Sequence, residues 1–86
     1  MFNPLAKLSE EMGELQQVIG KMLAYGTELN DPRNRERFYE EFADVRAAME
    51  FIEKEMLLDE TKIQQRVDQK VLKFRRLANE ARDDGA

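Results

Sequence analysis

The 86-residue chain is expected to be all-α: a long helical hairpin with a third helix packed on it, its four-helix-bundle core completed by a second copy. Three observations predict this. Apolar residues recur at alternating gaps of three and four through three segments, which is the period of an amphipathic helix. No run alternates apolar and polar residues as a half-buried strand would. So short a chain buries only about 60–65% of its unfolded surface. With no cysteine to cross-link it, self-association is the remaining source of buried area.

The first helix is expected from Asn3-Pro4, an N-cap followed by proline at the first helical position. Leu5, Leu8, Met12, Leu15, Ile19 and Met22 form its stripe, and Tyr25-Gly26 should close it. Residues 27–34 read as the one clear loop, with Asp31-Pro32 or Asn34 opening the second helix. That helix carries Phe38, Phe42, Val45, Met49, Ile52 and Met56, with Ala43, Ala47 and Ala48 small enough for close helix approach. Leu57-Leu58-Asp59 reads as a break with Asp59 as the next N-cap. The third stripe is Ile63, Val67, Lys70, Phe74, Leu77 and Ala81, and the tail from Asp83 to Ala86 should fray. Residues 1–86 therefore make a single domain.

Composition narrows the function. The net charge of −4 argues against a general nucleic-acid binder, which needs a basic footprint. Charge is also uneven: residues 1–60 hold 14 acidic against 7 basic groups, whereas residues 61–86 hold 4 against 7. No apolar run is long enough to span a membrane, and the start of the chain lacks signal-peptide organisation. A soluble cytoplasmic protein is expected. With no His and no Cys, zinc chemistry of the usual kind and His-based triads are excluded.

Carboxylates remain. Glu10-Glu11-x-x-Glu14 lies on the first helix and Glu41-x-x-Asp44 on the second. Residues three apart share a helix face, so each helix displays one acidic pair beside its apolar stripe. In an antiparallel hairpin the two pairs converge, and carboxylates that close repel unless a cation lies between them. An all-oxygen site suits Mg²⁺ or Mn²⁺, ions that also hold substrate phosphates. Water on such an ion becomes a nucleophile without any histidine, and Glu10 or Glu11 could accept its proton. Hydrolysis of a phosphate anhydride is the reaction class that fits. Against this, glutamates on a helix surface are ordinarily a solvated face, and Phe38 and Phe42 are ordinarily core. Lys70 at a core position is either a snorkelling lysine or an anion contact. The competing reading from another class is a non-catalytic helical interaction module.

These residues resemble the MazG-like nucleotide pyrophosphohydrolases of the all-α NTP pyrophosphatase superfamily, in particular its short, phage-type members. The likeness covers most of the chain: EEMGELQQVIGKMLAYG from Glu10 to Gly26, NRERFYEEFADV from Asn34 to Val45, and the basic spacing Lys70 to Arg76. The resemblance implies hydrolysis of a nucleoside triphosphate between its α- and β-phosphates. It implies Mg²⁺ or Mn²⁺ held by Glu11, Glu14, Glu41 and Asp44, with Glu10 assisting. It also places Lys21, Asn34, Arg35, Lys70 and Lys73 toward phosphate or sugar, in an oligomer whose sites are completed across subunits. A purine deoxynucleotide such as dGTP is the substrate such phage-type members suggest. The chain departs from the pattern at Ala24, where a basic residue is expected, and in its short loop at 27–33.

Overall fold

The computed structural model describes residues 1–25 and 31–85, and within them every element is helical. Helix α1 runs from Pro4 to Tyr25, α2 from Pro32 to Glu55 and α3 from Glu60 to Gly85. The side-chain oxygen of Asn3 accepts hydrogen bonds from the amides of Leu5 at 3.0 Å and Ala6 at 3.3 Å, satisfying donors that a helix start leaves free. Asp31 does the same for Arg33 at 3.0 Å, so Asp31-Pro32 rather than Asn34 opens α2. Asp59 caps α3 through the amides of Thr61 and Lys62. The expected glycine stop at Gly26 and residues 27–30 of the expected loop lie outside the described residues, whereas Pro32 to Asn34, expected in that loop, already belong to α2.

The end of α2 has a defined cause. Leu58 N–H donates to the carbonyl of Glu53 at 3.0 Å and Leu57 N–H to that of Lys54 at 3.3 Å. These paired bonds form a Schellman motif, which needs a left-handed residue just past the helix. Leu57 supplies it at φ 51°, a position usually given to glycine.

Helices α1 and α2 lie against one another as the expected antiparallel hairpin. Val18, Ala48 and Ile52 form its buried centre. The third helix is not packed on the hairpin as expected; it makes no comparable contact with either helix. The Leu57 turn leads it away, and its stripe residues Val67, Val71, Phe74 and Leu77 are exposed. The radius of gyration of 16.0 Å accordingly exceeds the roughly 12 Å of a compact domain this long. The tail differs as well: α3 continues through Gly85 rather than fraying from Asp83, carrying Arg82 in its last turn, where a cation complements the helix dipole.

Because so few side chains are buried, stability is concentrated at the hairpin seam. Replacing Ile52 with Ala should cost about 2–5 kcal/mol in urea unfolding. Replacing the exposed Leu23 with Ala should change stability by less than about 0.5 kcal/mol.

Candidate metal centre

The seam carries a second feature. Glu11 and Glu14 on α1 and Glu41 and Asp44 on α2 each place a carboxylate oxygen within 4.8 Å of the others. Helix periodicity is the reason: each pair is three residues apart, and the antiparallel pairing sets the two pairs opposite. Two of these groups reach inward. The Glu11 side chain is only 12% exposed, and Glu11 Oε2 and Glu41 Oε2 are both buried without a hydrogen-bond donor. Buried polar atoms are nearly always satisfied, so two orphaned carboxylate oxygens at one point call for a positive partner.

The electrostatics agree. The Glu14 carboxyl is held above its ordinary value of 4.5, chiefly by the charge of Glu11, then by partial burial and by the charges of Glu41 and Glu10. One side chain partly relieves the cluster. The Lys7 ammonium lies 3.2 Å from Glu11 Oε1 and 3.6 Å from Glu10 Oε2. Its hydrogen bond to Glu11, with the charge of Glu10 next, holds Lys7 above the ordinary lysine value. Neither orphaned oxygen is reached by it. The remaining requirement is a small cation with oxygen preference, and Mg²⁺ or Mn²⁺ fits this donor set. Glu11, Glu14, Glu41 and Asp44 would hold it. Glu10 stands outside the four, exposed and turned toward Lys7.

The expected substrate contacts divide. Lys21 and Asn34 line one cavity between α1 and α2, together with Val18, Met22, Tyr25 and Arg37. Asn34 Nδ2 is buried there without an acceptor. Arg35 turns elsewhere: its guanidinium lies 5.5 Å over the Tyr39 ring, in a pocket with Phe38 and Phe42. Lys70 is half-buried with its ammonium 6.0 Å from the Phe74 ring centre, and Lys73 is exposed. Because α3 stands off from the hairpin, neither lysine is brought to the carboxylates of its own chain.

No match is found to any family model, curated protein or solved structure.

Three participants escaped the sequence reading as site residues. Lys7 could have been found from its four-residue spacing to Glu11, the usual reach of a helical ion pair. Arg37 lies three residues after Asn34, one turn along the same face. Phe2 precedes α1 and shows no helical spacing at all; only the fold reveals its place beside Phe51.

A carboxyl with a raised folded value stabilises the fold when protonated; that contribution is full below about pH 4.5 and is lost as pH rises past the folded value. With metal removed by a chelator, Glu14→Gln should therefore melt higher than wild type at pH 7, the two converging toward pH 4. Added Mg²⁺ should raise the wild-type melting temperature, by roughly 4–8 °C per kcal/mol of binding, and Glu14→Gln should lose most of that rise.

Proposed function

We infer that the protein is a metal-dependent nucleotide pyrophosphohydrolase, converting a nucleoside triphosphate and water to the monophosphate and pyrophosphate. The observation that carries this is the convergence of four carboxylates from two helices, with two oxygens buried and unpaired. The motif resemblance supplies the reaction and the bond cleaved. A purine deoxynucleotide such as dGTP is the favoured substrate.

Bound in the cluster, Mg²⁺ or Mn²⁺ supplies charge neutralisation and an acidified water. The chain's own groups do the rest. Glu11 and Glu41, half-buried on facing helices, fix the spacing of the cluster because neither can swing into solvent without losing its packing. Glu14 and Asp44 would complete the ligand set, the repulsion that favours a protonated Glu14 in the empty cluster being relieved by the cation. Glu10, beside the four and exposed, is the carboxylate left to accept a proton from water. Lys7 keeps Glu10 and Glu11 oriented along one edge.

The same reading includes a homo-oligomer, a dimer or tetramer. The exposed stripe of α3, which includes Phe74 at 59% and Leu77 at 48% exposure, supports it, as does the extended shape. A second chain laid on α3 would bury that stripe and bring Lys70 and Lys73 to a neighbouring site. The same stripe would equally serve a non-catalytic interaction module, which would be indifferent to the carboxylates.

Two measurements separate these. Glu41→Gln should lower pyrophosphate release from dGTP by at least about a hundredfold, an amide being a weak ligand for a hard cation. Its helical circular dichroism should be unchanged. Retained turnover would contradict the assignment. Sedimentation should give at least a dimer, and Lys70→Met should weaken nucleotide binding without loss of stability.

A further inference from the structure

The carboxylates sit midway along one seam, and the two ends of that seam differ in chemistry. Seven residues make two helical turns, about 10 Å, so Lys21 stands over Glu14 on α1 and Asn34 over Glu41 on α2. Both face the same cavity of about 290 Å³, joined by Arg37 and Tyr25. That end holds two cations, an amide donor lacking an acceptor, and the opening turn of α2, whose dipole favours negative charge. Its chemistry is that of an anion pocket.

In the other direction the heptad step leads from Asp44 to Phe51 on α2 and from Glu11 to Pro4 on α1. Here a cavity of about 260 Å³ begins at Glu11 and Asp44 themselves. Ala47 and Ala48 are among its small lining residues, and Phe2 and Phe51 form an edge-to-face pair beyond them, ring centres 5.7 Å apart. Among the described residues that line it Lys7 is the one cation, and that ammonium is engaged by Glu10 and Glu11. Each cavity is below the roughly 300–1,000 Å³ of pockets that enclose a whole drug-sized ligand. Neither end takes a complete nucleotide, but each is the size of one half of it.

The geometry points to a fixed substrate polarity along the α1–α2 seam. The nucleoside enters the Phe2–Phe51 cavity, with its base against the aromatic pair. The β- and γ-phosphates extend past the carboxylates into the Lys21–Asn34–Arg37 cavity. This inference rests on the pyrophosphohydrolase reading and deepens it. The apolar end excludes phosphate because it offers no free donor, and the cationic end excludes the base because its polar groups would lose water without replacement. Polarity also fixes the products: pyrophosphate is left at the cationic end and the monophosphate at the aromatic end. Ala47 and Ala48 set how much base the pocket admits.

The two products test this separately, by calorimetric titration of the full chain in Mg²⁺ with dGMP and with inorganic pyrophosphate. Phe2→Ala and Ala47→Leu should weaken dGMP binding roughly tenfold, with pyrophosphate held within about twofold. Lys21→Gln and Arg37→Gln should show the reverse pattern. Phe2 and Ala47 are exposed, so these variants are expected to fold, and circular dichroism checks it. Variants at either end that weaken both products equally, or leave both unchanged, would overturn the polarity. A wild type that hydrolyses dGTP while showing no such split keeps the hydrolase reading and loses this one. A wild type that binds neither product and turns over no triphosphate loses both.

Discussion

The constraint on which the structure depends is repulsion among four carboxylates that helix packing forces together. Two like charges 4 Å apart cost about 1 kcal/mol in water and about 4 kcal/mol where the effective dielectric constant is near 20. Solvent can relax Asp44, which is exposed, more readily than Glu11 and Glu41, whose inner oxygens are shut away. The hairpin seam is also where the few buried apolar groups lie, so the helices cannot simply part. A fold whose buried core, among the described residues, is Val18, Ala48 and Ile52 has little stability with which to tolerate an unrelieved acidic cluster. A cation bound there would turn that liability into a link between α1 and α2.

Placement follows from periodicity. The three-residue spacing within each acidic motif, and the seven-residue steps to Lys21, Asn34 and Phe51, keep all these side chains on one strip of the hairpin. Antiparallel pairing then arranges the strip as aromatic end, acidic middle and cationic end. Apolar, acidic and cationic groups are thus separated along about five helical turns.

Much of this was legible in the residues. The caps at Asn3, Asp31 and Asp59 announced three helices, because each is a short polar side chain ahead of an amphipathic run. The four carboxylates were legible as a group because helical spacing alone puts each pair on one face. The course of α3 was not. Its stripe says that it is covered, not by what, and the left-handed Leu57 that directs it carries no signal a glycine would have carried. Lys70 and Lys73 were therefore assigned to a site that their own chain does not bring them to. Arg35 turns away from Asn34 because one residue is 100° around the helix, and its guanidinium lies over Tyr39.

The central claim is that the seam captures a hard cation through carboxylates of both helices. Electron paramagnetic resonance of Mn²⁺ titrated into the metal-free protein at neutral pH measures this directly. The free-ion signal should fall on adding wild-type protein and should be restored by competing Mg²⁺. It should stay near its free intensity with the double variant Glu11→Gln, Glu41→Gln. A signal that wild type leaves untouched, or that the double variant quenches equally, would contradict the account.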